Sequence, residues 1–308
     1  MSFYLGIDGG GTTTRCLLGD ETSLLATAMS AGSNVVRLGQ AQAREALHAG
    51  VRQACATAKI TPEQIRSICV GAAGAARPEI AATIRSILAE LTPAAVEVVG
   101  DMVIALEAAF GSGLGVMVIA GTGSIVWGRD RTGRTARAGG WGFAISDEGS
   151  GQWIGWRAIS AILQAHDEEQ ETALTAMVLR AWNLTTLDEL VQKANSLPPP
   201  EFPRLFPVVL RAAEQADAIA RKLLADAATH LANLTARVIP RVAAEPPYPP
   251  VAMTGSVFRK SAEVRRVFFS ALQTNFPGIE VRPNLVVPVE GALARARKAG
   301  VTSTGGIA

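Results

Sequence analysis

The chain has 308 residues, of which 48% are hydrophobic and 18% are charged, and this length is enough for two domains. Its 29 basic and 27 acidic residues nearly balance, so the charge gives no reason to expect nucleic-acid or membrane binding. The three cysteines, Cys16, Cys55 and Cys69, lack the spacing of a metal site. Buried thiols and the absence of a basic residue before Arg15 favour a cytoplasmic protein.

A glycine-rich hairpin at residues 6–15 lies between two apolar runs that are typical of buried strands. No helix follows its glycines, which excludes a Walker A loop and a Rossmann dinucleotide site. Glycines let backbone N–H groups approach a ligand, Thr12 and Thr13 add hydroxyls, and Asp8 adds a carboxylate. The combination suits a phosphate chain with a divalent metal, and an ordinary hairpin turn is the alternative.

Strands and helices alternate through the rest of the first half of the chain. Beyond the hairpin we expect strands at residues 24–31, 68–71 and 96–100, and helices at 47–58, 81–91 and 104–110. This order, βββαβαβα, is that of the ribonuclease H-like fold.

The second half repeats the hairpin pattern at residues 119–124, again between apolar runs, which indicates a duplicated unit. Further strands are expected at residues 134–138, 251–254 and 279–281, and helices at 263–273 and 289–298.

These elements predict an α/β protein with two ribonuclease H-like lobes, the second carrying a mainly helical insertion at residues 149–245. The first lobe would comprise residues 1–115 and a final helix at 289–299, and the second residues 116–288. We expect a nucleotide cleft between the lobes and a disordered tail at residues 302–308.

Four motifs in order resemble the N-acetylglucosamine kinase group of the sugar kinase, actin and chaperone ATPase superfamily. They are the first hairpin, Gly121-Thr122-Gly123-Ser124, Gly139-Gly140-Trp141-Gly142 and Asp147-Glu148-Gly149-Ser150. The resemblance implies a homodimeric kinase that uses ATP and Mg²⁺ to phosphorylate the 6-hydroxyl of N-acetylglucosamine. Glucosamine and N-acetylmuramic acid are alternative substrates. Activator ATPases of the benzoyl-CoA reductase type also resemble this fold, but they use cysteines to bind an iron–sulfur cluster.

The resemblance assigns nucleotide contacts to both hairpins. Asp8 would hold Mg²⁺ through water, since Mg²⁺ keeps much of its hydration shell. Gly255 and Ser256, between a strand and a helix, would lie near the α-phosphate or ribose, although a plain turn is the alternative. The remaining expected phosphate contacts are Gly10, Gly11, Thr12, Thr13, Thr122 and Gly123.

Asp101 follows a strand, where α/β proteins place ligand contacts, and it is the expected general base and a sugar contact. From its position alone a helix cap is the more reasonable role, and the resemblance reverses that preference. The resemblance also assigns sugar contacts to Asn34, Trp141 and Asp147, whose alternative roles are a turn residue, a core aromatic and a helix cap. Ile125 stands where eukaryotic N-acetylglucosamine kinases carry a polar residue, which leaves the particular amino sugar open.

Overall fold

A computed structural model describes residues 2–142 and 144–302 of the chain. It contains two compact units, Met1–Gly113 with Val286–Ala308, and Leu114–Leu285. Thr302 is the last residue of the final helix. The rest of the tail that the sequence predicts to be disordered, residues 303–308, lies outside the described residues.

The first unit contains a mixed five-stranded sheet in the order β3-β2-β1-β4-β5. The strands are β1 (Phe3–Gly9), β2 (Thr13–Gly19), β3 (Leu24–Ala31), β4 (Ile65–Ala72) and β5 (Ala95–Val99). The first three strands pair antiparallel, whereas β1 with β4 and β4 with β5 pair parallel. The buried side chains of β1 and β4 form nearly continuous runs, as expected for central strands covered on both faces.

The helices of the first unit fall in the predicted βββαβαβα order. They are α1 (Val35–Leu38), α2 (Gln40–Ala58), α3 (Pro78–Ala89), α4 (Asp101–Phe110) and, from the end of the chain, α12 (Pro288–Thr302). On α2 the buried residues Leu47, Val51 and Ala54 recur three and four positions apart and turn one face to the core. Helix α4 begins at Asp101, three residues before the predicted start at Ile104.

The second unit contains a four-stranded sheet in the order β8-β7-β6-β9. The strands are β6 (Gly115–Ala120), β7 (Ser124–Arg129), β8 (Thr135–Gly139) and β9 (Val251–Thr254). Strands β6, β7 and β8 pair antiparallel, and β9 pairs parallel to β6. The predicted insertion between β8 and β9 is helical. The helices of this unit are α5 (Gly151–Asp167), α6 (Ala173–Ala181), α7 (Leu187–Ala194), α8 (Phe206–Glu214), α9 (Ala218–Val242), α10 (Ser256–Lys260) and α11 (Ala262–Asn275).

The strand predicted at residues 279–281 is wrong, because only Val281 pairs, through an isolated parallel bridge to Val251. The amide of Val251 donates to the carbonyl of Glu280, and the amide of Arg282 donates to the carbonyl of Val251. Extending the ladder toward the start of the predicted strand would need the amide of residue 249, which is Pro249 and has no N–H. On the edge of this segment that faces away from β9, the side-chain amide of Gln273 donates to the carbonyl of Ile279 at 2.8 Å.

Helix α9 is the longest helix, with 25 residues, and its buried side contributes Leu223, Leu224 and Leu231 to the main core of the second unit. Across residues 2–142 and 144–302, no helix combines the length and the apolar character needed to cross a membrane.

Helix α12 lies against β1 and α4 within the first unit, where Tyr4, Ile104 and Leu293 form a buried cluster. The approach to α4 is so close that a Cβ atom on Gly291 would overlap the carbonyl oxygen of Ile104 and come within 2.5 Å of the amide nitrogen of Ala108. These are backbone atoms, which cannot move aside as a flexible side chain can.

We therefore expect Gly291→Ala to lower the free energy of unfolding by about 1–3 kcal/mol, the usual cost of overpacking a close contact. Helix propensity alone predicts the opposite, a gain of about 1 kcal/mol for alanine over glycine inside a helix. Urea denaturation decides between the two effects. Glu290→Ala, at an exposed position of the same helix, is the control and should change stability less. A stabilised Gly291→Ala protein would show that α12 is packed less closely than described.

Candidate active site

The polar candidates of the first unit lie at one edge of its sheet. Because β1, β4 and β5 are parallel, their carboxyl ends meet at the same edge, with Asp8 opposite Gly71 and Gly71 opposite Val99. Asp101 lies two residues beyond Val99. The end of β3 reaches this edge too, since Ala31 pairs with Thr13 at the start of β2. The fold therefore brings Asp8, the hairpin, Asn34 and Asp101 to a common edge.

The first glycine hairpin is a short turn between Gly9 and Thr13. The amide of Gly10 donates to the carbonyl of Thr13 at 3.1 Å and closes the turn. Thr12 is exposed at its tip, and Asp8 is half-buried at the end of β1. This geometry presents backbone and hydroxyl groups beside a carboxylate, as a phosphate–metal site requires.

Asn34 begins the segment after β3 and caps α1. Its side-chain oxygen accepts from the amides of Val36 and Arg37 at 3.0 and 3.2 Å. The Arg37 guanidinium in turn lies 3.4 Å from the position that a Cβ atom on Gly11 would take. Sequence reasoning gave Arg37 no role, and only the fold brings it to the hairpin.

Asp101 is the first residue of α4, one position beyond the N-cap residue, which is Gly100. Its carboxylate accepts from the amide of Met102 at 3.0 Å. Burial raises the pKa of Asp101, and the amide of Met102 opposes that rise. A carboxylate whose pKa is moved toward neutrality is a better general base than an exposed one.

The second glycine hairpin closes through the amide of Gly121, which donates to the carbonyl of Gly123 at 2.9 Å. Two carbonyl oxygens of this hairpin accept hydrogen bonds from the start of α5. The amide of Gly151 donates to the carbonyl of Gly121 at 2.8 Å, and the amide of Gln152 donates to the carbonyl of Thr122 at 3.1 Å. Gly255 follows β9 and lies against Ala120, the last residue of β6. Gly255 and the adjacent Ser256 are therefore beside this hairpin.

Asp147 is buried and lies directly against the second hairpin. One carboxylate oxygen accepts from the amide of Ser124 at 3.2 Å, and a Cβ atom on Gly123 would come within 2.9 Å of the other. Burial raises the pKa of Asp147; the Ser124 amide opposes the rise and the charge of Glu148 adds to it. The cap of α5 is Ser150, which accepts from the amide of Trp153, so the alternative role of Asp147 as that cap is wrong.

Trp141 is 67% exposed, which rules out the alternative role of a core aromatic. The guanidinium of Arg137 stacks on its ring, 3.7 Å from the centroid. Trp141 follows β8, whose last residue, Gly139, pairs with Ile125 next to the hairpin. The ring is thus presented to solvent at the same edge of the sheet as Thr122 and Asp147, available to cover a sugar face.

The candidates form two groups, one at the carboxyl edge of each sheet. In the described part of the chain, no group of three or more histidine, cysteine or acidic residues could by itself hold a metal ion. A Mg²⁺ ion commonly uses one or two carboxylates together with water and substrate phosphates, and Asp8 beside the hairpin fits that arrangement. Sequence reasoning gave Ser33 no role, because a lone serine gives no signal until the fold supplies its partner. It did not identify Ser150, the last residue of the fourth motif, as the cap of α5.

The chain matches the model of the BadF/BadG/BcrA/BcrD ATPase family over residues 5–296. It belongs to this family. It is 30% identical over 306 residues to the N-acetyl-D-glucosamine kinase of Dictyostelium discoideum, covering 94% of this chain and 96% of that protein. It is 29% identical over 286 residues to the N-acetylmuramic acid/N-acetylglucosamine kinase of Clostridium acetobutylicum, covering 91% of this chain and 94% of the relative.

Among solved structures, a candidate N-acetylglucosamine kinase from Chromobacterium violaceum matches with a TM-score of 0.79 and 25% identity. The match covers 96% of this chain and 98% of the other. These findings confirm the family resemblance and the mixed α/β fold with two sheets that the sequence predicts.

The raised pKa of Asp147 has a consequence for stability. Since the folded-state pKa lies above that of the unfolded chain, about 3.9, the contribution of this group is present at low pH and is lost as pH rises through the folded pKa. Asparagine tolerates a positive φ, here 70°, and can still accept from Ser124. We therefore expect Asp147→Asn to gain stability relative to the wild type as pH rises from about 4.

Asp130→Asn is the matched control with the opposite sign. The hydroxyl of Thr132 and nearby amides hold the pKa of Asp130 below its usual range. Its contribution is present above the unfolded-state pKa and lost at lower pH, so the variant should lose relative stability as pH rises. Urea denaturation from about pH 3 to pH 8 measures both differences, since the Asp130 effect develops mainly below about pH 4 and the Asp147 effect above it. A stability difference for Asp147→Asn that does not change with pH would contradict the raised pKa.

Proposed function

We propose that this protein is an ATP-dependent amino-sugar kinase that transfers the γ-phosphate to the 6-hydroxyl of N-acetylglucosamine. The observation that carries the proposal is the common sheet edge of the first unit, where a half-buried Asp101 lies with Asp8 and the glycine hairpin. The kinase names of the relatives support the same reaction.

Phosphoryl transfer depends mainly on positioning and on neutralising charge. In this proposal Gly10, Gly11, Thr12 and Thr13 bind the β- and γ-phosphates through amides and hydroxyls. Asp8 holds Mg²⁺, which when bound neutralises phosphate charge. In the second unit the proposed nucleotide contacts are Thr122, Gly123, Gly255 and Ser256.

Asp101 accepts the proton of the sugar 6-hydroxyl as that oxygen attacks the γ-phosphorus, and the bond from the γ-phosphorus to the bridging oxygen breaks to release ADP. The Met102 amide fixes one carboxylate oxygen at 3.0 Å. Burial raises the pKa of the group and so increases its affinity for the transferred proton. We assign the sugar hydroxyls to Asn34, Asp101 and Asp147, and a sugar face to Trp141, whose exposed ring suits stacking.

The amino sugar itself is the least constrained part of the proposal. The names of the relatives include both N-acetylglucosamine and N-acetylmuramic acid, and a third relative, 29% identical, is a glucosamine kinase from Vibrio cholerae. Ile125 lies against Gly140, the residue before Trp141. Its aliphatic side chain cannot form a hydrogen bond with an acetyl group. Comparing turnover of the three sugars in a coupled ATP-consumption assay identifies the preferred one.

An activator ATPase for an acyl-CoA reductase or dehydratase is the alternative from another class. Such a protein binds iron through thiolates. Here Cys16, Cys55 and Cys69 are buried in β2, α2 and β4. Burial raises the pKa of these thiols to about 12, about 11 and about 12, which disfavours the thiolate form that binds metal. This observation favours the kinase.

We further propose that the enzyme is cytoplasmic and homodimeric. The buried free cysteines and the use of ATP support the first statement. The second rests on the family resemblance alone, and sedimentation velocity measures it.

Asp101→Asn should lower kcat for N-acetylglucosamine by ~10²–10⁴-fold, because the amide keeps the shape and the hydrogen bond to Met102 but is not a base. The melting temperature should change little, since the side-chain oxygen of asparagine can still accept from the Met102 amide. Asp188→Asn, the same change at an exposed first-turn position of α7, is the control and should leave kcat unchanged. A folded Asp101→Asn enzyme that keeps more than about a tenth of kcat would contradict the role of base.

Turnover should require a divalent cation. We expect EDTA to abolish sugar phosphorylation and added Mg²⁺ to restore it, since Asp8 and the phosphates are hard oxygen ligands. Metal analysis of the purified protein should find no stoichiometric iron. A brown protein with iron and sulfide would instead support the activator class.

A further inference from the structure

A buried pair of hydroxyls joins the first hairpin to the segment that carries Asn34. Thr14 lies in β2 with none of its surface exposed, and Ser33 lies after β3 with 2% exposed. The hydroxyl of Thr14 donates to the hydroxyl oxygen of Ser33 at 2.7 Å. Neither residue is among the proposed ligand contacts, so the kinase mechanism gives this pair no role.

The backbones of the hairpin and of residues 32–33 are also in direct contact, and they are too close for one to move without the other. The amide of Ser33 donates to the carbonyl of Gly10 at 3.1 Å. A Cβ atom on Gly9 would come within 2.8 Å of the Ser33 hydroxyl, and one on Gly32 within 2.6 Å of the carbonyl oxygen of Gly11. A displacement of the hairpin therefore has to displace Ser33.

Ser33 is followed directly by Asn34, the proposed sugar contact. The Asn34 side chain is itself fixed, since its oxygen accepts from the amides of Val36 and Arg37 at the start of α1. Ser33 therefore connects two proposed ligand contacts within a single unit of the protein. Its amide bonds to the hairpin at Gly10, and its peptide bond leads to Asn34.

We propose that the hydrogen bond between Thr14 and Ser33 is a positioning contact that couples nucleotide binding at the hairpin to sugar binding at Asn34. This inference rests on the proposed function. Phosphates that order the hairpin also fix Ser33, and Asn34 is then held in the conformation that binds sugar. Coupling of this kind is reciprocal, so bound sugar strengthens nucleotide binding by the same factor. A purely structural pair would stabilise the fold and leave the two affinities independent.

The test is the dissociation constant of N-acetylglucosamine, measured by calorimetry with and without a saturating non-hydrolysable ATP analogue and Mg²⁺. For the wild type we expect the nucleotide to tighten sugar binding about fivefold or more, as is usual for coupled sites. Thr14→Val keeps the branched shape but removes the donor, and should reduce that ratio to less than about twofold. Thr14→Ser restores the hydroxyl and should recover the coupling.

Thr235→Val is a matched control in the second unit. Thr235 is also fully buried, and its hydroxyl donates to the carbonyl of Leu231 within α9 at 2.8 Å. The change is chemically identical but lies outside the proposed link, so the ratio should stay at its wild-type value. If Thr14→Val does not fold, Ser33→Ala removes the other partner without placing a new methyl group in the buried site, and it should give the same reduced ratio.

A wild-type ratio in the variant that folds, Thr14→Val or Ser33→Ala, would overturn the proposal, and so would a wild-type protein that binds both ligands with a ratio of one. The proposed function fails separately. A wild-type protein that binds nucleotide but no amino sugar would contradict the kinase itself, and the inference about coupling with it.

Discussion

The parallel pairing of β1 with β4 and of β4 with β5 determines where chemistry is possible in the first unit. Side chains that follow parallel strands meet at one edge of a sheet, whatever their separation along the chain. Asp8 and Asp101 are brought together in this way although about ninety residues separate them. The second sheet uses the same constraint on a smaller scale, since β6 and β9 run parallel and place Gly255 beside the second hairpin.

Local signals in the sequence were sufficient for most of the architecture. The glycine hairpins, the apolar strands and the helical face of α2 depend on residues near each other in the chain, and the structure contains all of them. The start of α4 and the strand at residues 279–281 are two of the differences between prediction and structure. Helix α4 starts at Asp101 because Gly100 serves as its cap residue without a side-chain signal. The strand expected at residues 279–281 had a suitable pattern, but Pro249, two residues before Val251, has no N–H to extend its pairing.

The candidate site was harder to predict from the sequence, because the burial and the hydrogen bonds of a side chain depend on residues that are distant in the chain. The pattern Asp147-Glu148-Gly149-Ser150 drew attention to Asp147 but could not show that its carboxylate is buried against Ser124 or that Ser150 is the cap. The exposure of Trp141 also depends on its place after β8 and its stacking with Arg137. The roles of these residues toward ATP and sugar remain predictions that kinetic measurements can test.

The position of α12 has a consequence for the order in which the protein is made. Its residues Val289, Ala292 and Leu293 complete the buried cluster over β1 and α4, yet they leave the ribosome only after the whole of the second unit. The second unit, Leu114–Leu285, is a continuous segment and can collapse on its own core while synthesis continues. The strands of the first unit are made before the second unit, but this face of their sheet cannot be covered until α12 emerges. During that interval the apolar surface around Tyr4 and Ile104 is open to chaperones, and a truncation before α12 would leave it open permanently.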